Sequence, residues 1–539
     1  MSPRFSKLIE THLAGNPLAG HRHHVGSCRT VDDSFGWCRD AIRKILSTDI
    51  ISLSHFTELF GTLRRITVST CFSGIGAPEM ACSVIESTLR DHFRRASSMS
   101  SIQTTTLEFE FDWACEWSTQ CQNVLLANPH FHGNLFGNVL DFLPSKLKRK
   151  VDKHTTSDVI SIKDEIIYAP TKRKLYCHRN GKHMPVARSM LHIAGSPCVD
   201  HTTYGKQEGL LGEQIRYLWA WCAMIRTMRP AICVHENVPG FPETELTNIF
   251  ADLYVTVRVR SDPEWQGWAS TRKRVFDIFI LKALISTPLP AHMQLPNLSI
   301  FEGLLKLVFT RGCNYDWTAF LFTDIDGIDH YLEERAWASK REHVTERHQL
   351  DHCPDDGSAL WALTLSEMSR WKGYCEFIAN NTTGDIGQEP TERPITSGSD
   401  GKLPTLMKGQ HLHFFSTTTD EASQPGIGPR WVSNVELLES LGYPIRDASV
   451  NVCCGASHAY SLGEDAPYGQ SHSSSSAQTG NTQHVNSIGA VLFMILLLFN
   501  FSVSEQPVQT AAVSLKRPHS VVTPPPSTFR RLLKQRLSG

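Results

Sequence analysis

From Ile66 onward, short apolar runs stop abruptly at Gly, Glu or Pro-Cys, and amphipathic stretches fill the spaces between them. The runs Ile66–Phe72, Leu107–Ala114, Met190–Ala194, Ala231–His235 and Val275–Leu281 predict strands, and Ala77–Thr88, Gln120–Ala127 and Gln214–Met228 predict helices. Strand alternating with helix commits a chain to a mainly parallel sheet covered on both faces, because parallel neighbours need a long crossover. Ligands of such sheets bind beyond the carboxyl ends of the strands. Residues that carry chemistry are therefore expected directly after each apolar run.

With 539 residues, 41% hydrophobic and 20% charged, the chain can build a large core and more than one domain. The net charge of -1 gives no global electrostatic signature of nucleic-acid binding, so such contact must come from local Lys and Arg clusters. Fifteen cysteines, odd in number and irregular in spacing, follow an N-terminus (MSPRFSKLIE) without an apolar signal core. This predicts a reducing, intracellular protein: nuclear if eukaryotic, cytoplasmic if prokaryotic or viral. His21, His23, His24 and Cys28, and the pair Cys177 and His183, lack the paired spacing of a zinc site, so no metal is expected.

Phe72-Ser73-Gly74-Ile75-Gly76 lies between the first strand and the first helix. Two glycines two apart permit a tight turn that a ligand can approach closely. The next strand ends at Glu116-Trp117, where a carboxylate can accept from both hydroxyls of a ribose and an indole can cover an adenine. Turn, acid and indole together predict nucleoside binding. The Ser/Thr-rich stretch 97–106 accounts for the long spacing between them.

The more specific pattern comes later. MLHIAGSPCVDHTTYGKQEGLLGEQ places Pro197-Cys198 at a strand end before a Gly-punctuated loop; RPAICVHENVPGF places Glu236-Asn237-Val238 at the next; Arg272-Lys273-Arg274 precedes a third apolar run. A buried structural thiol is the plain reading of any cysteine. The Pro before Cys198, the Gly-rich loop after it and the matching Glu236 favour a nucleophile.

In order and approximate spacing, these motifs resemble the DNA cytosine-5 methyltransferase family. Arg430 to Pro444 (RWVSNVELLESLGYP) is similar to a later motif of that family, and Gln478-Thr479-Gly480-Asn481 with His484-Val485 to its last. The resemblance spans about residues 64–503. It implies a Rossmann-like fold with a smaller target-recognition domain, S-adenosylmethionine as cofactor and DNA as partner. Carried over to this chain, it implies Cys198, Glu236, Arg272 and Arg274 as catalytic residues. Phe72, Ser73, Gly74, Gly76, Glu116, Trp117, Asn138, Pro197 and Asn481 would bind the cofactor. A thiolate on carbon 6 of cytosine makes carbon 5 nucleophilic; Glu236 would stabilise charge at ring nitrogen 3, and the two arginines would hold the carbonyl oxygen and order the site. The base that removes the carbon 5 proton is not identified. The loop Val199–Leu218 would be a lid over a flipped base.

The expected organisation is an N-terminal packing extension (1–62) with helix-like faces at Phe35, Trp37, Ile42, Ile45 and Leu46 and at Phe56, Leu59 and Phe60; a first catalytic part (63–285); a recognition domain (286–429); a second catalytic part (430–503); and a disordered basic tail (504–539). The Lys/Arg-rich stretch 143–189 reads as a solvated loop, with contact to a DNA backbone as the functional alternative. Residues 465–480 should be a flexible loop. The apolar stretch Ser487–Val503 is long enough to approach a membrane span, but the resemblance implies that the last motif leads into a helix packed beside the first strand, so a core helix and no membrane is expected. Thr70, Asn138, Val199 and Ser270 depart from the family's usual residues, and Asn138 bears most on cofactor contact. An RNA cytosine methyltransferase and an inactive DNA-binding homologue are the competing readings.

Overall fold

In a computed structural model of the chain, the residues described are 27–48, 51–61, 64–97, 107–202, 205, 207–284, 298–321, 365–377, 382–389, 401–407, 410, 412–415, 430–456, 480 and 482–499. The predicted tail (504–539), His21, His23, His24, Asn481 and nearly all of the loop 465–480 lie outside them.

The core is a nine-stranded sheet. In chain order its strands are β1 (Arg65–Cys71), β2 (Glu108–Cys115), β3 (Asn134–Phe136), β4 (Lys174–Cys177), β5 (Lys182–Pro185), β6 (Leu191–Gly195), β7 (Ile232–Asn237), β8 (Tyr254–Ser261) and β9 (Arg274–Leu281). Across the sheet the order is β5-β4-β3-β2-β1-β6-β7-β9-β8. β3, β2, β1, β6 and β7 run parallel, and antiparallel pairs close both edges. The fold is Rossmann-like, as the alternation predicts. The chain runs outward from β1 to β3 and then returns to β1's other side at β6, so the crevice of a doubly wound sheet opens above β1 and β6.

β8 (YVTVRVRS) is absent from the strands read off the sequence, although its alternation is visible; with β9 it completes the antiparallel edge. The basic stretch is not a solvated loop. It folds as α-helices Ser145–Lys153, Thr156–Ser161 and Lys163–Ile167 followed by the β4–β5 hairpin. Leu147 and Val151, four apart, face inward with Val159, Ile166 and Ile167, while the lysines point to water.

The N-terminal helices α1 (Val31–Phe35), α2 (Trp37–Ser47) and α3 (Leu53–Phe60) bury the predicted apolar faces, except that Leu46 is not in the core. The helix after β1 runs from Ala77 to Ser97 (α4). Val485–Leu498 (α15) packs on α4, the helix after the first strand, and all but its last residue are buried. Among the described residues no helix is long and apolar enough to cross a membrane. Leu298–Phe309 (α11) packs against β8, α15 and α2. A separate three-stranded antiparallel sheet, Thr382–Asp385, Leu412–Phe415 and Arg430–Trp431, lies within or borders the expected recognition region.

Candidate active site

The register brings the strand ends level. Cys71 of β1 stands beside Cys115 of β2 and Ala194 of β6, and Gly195 stands beside Glu236 of β7. Neighbouring strands are about 4.8 Å apart, so the glycine turn, Glu116, Pro197-Cys198 and Glu236 emerge side by side on one rim.

At the first strand end, Phe72 (φ 56°), Gly74 (φ 57°) and Gly76 (φ 94°) take left-handed backbone conformations. Glu116 braces this turn: Oε2 accepts from Gly74 N–H at 3.1 Å and Oε1 from Ser118 N–H at 2.9 Å. Burial pushes its carboxyl up to about 7 against those donors. Thr70, one of the departures from the resembled family, donates to Oε1 of buried Glu79 at 2.6 Å, so the first turn of α4 supplies a carboxylate there. Glu79 is also pushed up to about 7, chiefly by burial. Ser73 Oγ is buried with no hydrogen-bond partner among the described residues, and the Trp117 indole beside Glu116 is 69% exposed. A braced acid, an unpaired hydroxyl and a bare indole fit the ribose and base of a nucleoside cofactor. Asn138 is at the end of β3, but its Oδ1 accepts from Leu140 N–H at 2.9 Å as a helix cap. Its other lone pair remains for a ligand.

At the β6 end, Cys198 begins a turn whose carbonyl accepts from His201 and Thr202 N–H at 2.9 and 3.1 Å. Burial raises the Cys198 thiol; Arg274 and Arg272 pull it down and Glu236 pushes it up. Arg274 Nε meets Glu236 Oε1 at 2.8 Å, so β7 and β9 present a paired acid and guanidinium. Arg272 is differently employed. Its Nη1 donates to Leu406 O at 3.0 Å, and Nη2 to Gly480 O and Thr482 O at 3.2 and 2.5 Å. Burial, then Arg274, lowers it to about 9. It is a strut between three chain segments. Leu403 pairs with 269–271, the segment that leads into Arg272.

Residues missed in the sequence lie beneath the nucleophile's turn. Ser196 Oγ is 2.7 Å from His235 Nε2; His235 Nδ1 lies 3.9 Å from Asp277 Oδ2, and Arg258 clamps Asp277 at 2.6 and 2.8 Å. Asn237 Nδ2 donates to Ser196 Oγ at 3.0 Å. These buried polar groups tie β6, β7, β8 and β9 together. Gln483 enters the site from the segment before α15. The alternating pattern gave no hint of any of them, because a buried polar pair leaves no periodic signal.

A family model described as C-5 cytosine-specific DNA methylase matches residues 178–258, which include Cys198 and Glu236. Residues 178–258 are thus similar to a C-5 cytosine-specific DNA methylase. The matched segment runs from the β4–β5 hairpin into β8 and so covers the β6 and β7 ends. Among solved structures, the S. pombe Dnmt2 methyltransferase is 11% identical over 80% of this chain and 98% of its own, with a TM-score of 0.38. The Entamoeba histolytica methyltransferase EhMeth is 11% identical over 81% and 100%, with a TM-score of 0.36. The strand order, and not these overlaps, defines the fold. A GPI inositol-deacylase of Phaeosphaeria nodorum is 33% identical over 103 residues, 18% of this chain; the chain spans a tenth of the length of that curated relative.

Proposed function

We propose that the protein methylates carbon 5 of cytosine in DNA, with S-adenosylmethionine as donor. The observation that carries the reading is the meeting of Cys198, Glu236 and Arg274 beside the glycine turn braced by Glu116. The methyl donor, when bound, supplies an electrophilic sulfonium methyl group. Phe72, Ser73, Gly74, Gly76, Glu116, Trp117, Asn138 and Pro197 would hold it at the carboxyl ends of β1, β2, β3 and β6; Asn481, which lies outside the described residues, would join them.

Carbon 5 of cytosine is a weak nucleophile. The Cys198 thiol loses its proton to solvent and its sulfur bonds to carbon 6; the electron pair of the 5,6 double bond is then available at carbon 5. Glu236 supplies a proton or hydrogen bond at ring nitrogen 3, and Arg274 both holds the Glu236 carboxyl and lies in reach of the carbonyl oxygen on carbon 2. Arg272 acts as a positioning residue. Once carbon 5 carries its methyl group, its proton leaves to a base or water, the electron pair re-forms the double bond, and the carbon–sulfur bond breaks to return the thiolate. None of this is possible inside a stacked duplex, so the base must be turned out at a cost of about a few kcal/mol. The loop after Cys198 would close over it. It is anchored at Asp200, whose carbonyl accepts from Gly209 N–H at 2.8 Å and whose Oδ2 accepts from Gln214 N–H at 3.3 Å.

The test is incubation of the full-length protein and donor with a pool of DNA duplexes containing 5-fluorocytosine in every trinucleotide context, and in parallel with structured RNA carrying the same base. A covalent adduct with DNA that Cys198→Ser abolishes supports the reading. Adduct with RNA alone reassigns the substrate; no adduct with either sinks methyl transfer and favours a binding role.

A further inference from the structure

The reaction as written leaves Gln483 unused. The residue is 4% exposed, and among the described residues neither Nε2 nor Oε1 has a hydrogen-bond partner. A buried amide left unpaired keeps its full desolvation penalty, so such a group asks for a partner. Its location says which. A side-chain carbon added to Gly195 would come within 2.5 Å of Gln483 Nε2 and 2.9 Å of Glu236 Oε2. The missing side chain at Gly195 thus makes room at the end of β6 for the amide of Gln483 and the carboxyl of Glu236. Arg274 Nε takes Glu236 Oε1, so Oε2 is the oxygen turned toward Gly195.

The backbone that carries Gln483 is held firmly. Arg272 binds the Thr482 carbonyl at 2.5 Å, the Tyr443 hydroxyl lies 2.5 Å from Thr482 Oγ1, and Val485 N–H donates to Leu441 O at 2.9 Å. Fixed backbone and unpaired side-chain atoms together describe a preorganised contact for a ligand.

We propose that Gln483 is a second contact to the target cytosine: with its unpaired amide turned so that Oε1 takes the place of Nε2 beside Gly195, it accepts a hydrogen bond from the amino group on carbon 4 while Glu236 engages ring nitrogen 3. The two positions are adjacent on the pyrimidine edge, as the two side chains are adjacent at Gly195. The inference rests on the cytosine reading of the site.

The experiment compares wild-type, Gln483→Leu and Gln483→Met full-length proteins. The rate of covalent adduct formation is measured on duplex pools carrying 5-fluorocytosine or 2-pyrimidinone, which lacks the amino group. Donor affinity is followed by calorimetry as the check on folding. The expected result is a loss of at least tenfold on 5-fluorocytosine and less than twofold on 2-pyrimidinone, with donor affinity unchanged. Equal losses on both bases, no loss on either, or an effect confined to donor affinity would overturn the contact while leaving cytosine methyl transfer intact. A wild-type protein that forms no adduct with either base removes both.

Discussion

At the scale of single residues, the site is tuned by burial as much as by charge. The Cys198 thiol is raised by burial, with Arg274 opposing. Alkylation of Cys198 by iodoacetamide should therefore be slow near pH 7 and accelerate into the alkaline range; Arg274→Ala should shift that profile further to high pH, as read by mass spectrometry of the peptide. An unshifted profile would mean that Arg274 does not act on the thiol. Glu116, held at about 7 by burial, loses its proton as pH rises, and in the proposed role only the ionised carboxylate would accept from two ribose hydroxyls. From pH 6 to pH 8 the ionised fraction grows about tenfold. Donor affinity should strengthen by a comparable factor, and Glu116→Gln should flatten the dependence; calorimetry at the two pH values decides. Cys198 and Glu236 were legible because each ends an apolar run in a distinctive motif. Gln483 was not: a glutamine that points at a carboxyl looks like any other until a neighbouring glycine reveals the space it fills.

Secondary-structure elements were readable where one period dominated. Four of the five parallel strands matched their apolar runs to within a residue or two, because strands buried on both faces are nearly continuous in hydrophobic residues, whereas the three-residue β3 is too short to show a run and was missed. The insertion defeated that reading because its lysines and arginines outnumber the few inward apolar residues of short helices. β8 was passed over since Arg258 and Arg260 interrupt it, yet Arg258 is spent on Asp277. The closing helix α15 has one close approach that depends on a missing side chain: an added carbon at Gly489 would lie 2.6 Å from the Trp37 ring. Gly489→Ala should destabilise the protein by about 1–3 kcal/mol through overpacking, seen as a lower Tm. Gly489→Ala with Trp37→Leu should recover much of it; an unaffected single variant would mean that the helix and ring separate freely.

Across the whole molecule, the N-terminal extension is bound into the catalytic part through a buried cation. Arg311 donates to the carbonyls of Gln266, Asp33 and Ser34 at 3.0, 2.8 and 2.7 Å, and meets Asp40 Oδ2 at 3.2 Å. Arg311→Ala would remove one donor from each of three carbonyls and from a partly buried carboxylate, of which the Asp33 carbonyl and Asp40 keep Gly36 N–H and Arg43. A loss of about 3 kcal/mol is expected, with denaturant unfolding still a single transition for these parts; early release of residues 27–61 to protease, with the remaining fold unchanged, would show that the extension is merely appended.

The pairing of α15 with α4 also has a consequence in time. Ala77–Ser97 leaves the ribosome some four hundred residues before Val485–Leu498 does, and the two are partners. Throughout synthesis the apolar flank of the earlier helix has no cover, and Thr482 and Gln483 have not arrived at the rim. The nascent chain thus carries an apolar helix face that waits for its partner until Val485–Leu498 has been made, and Thr482 and Gln483 reach the rim only with it.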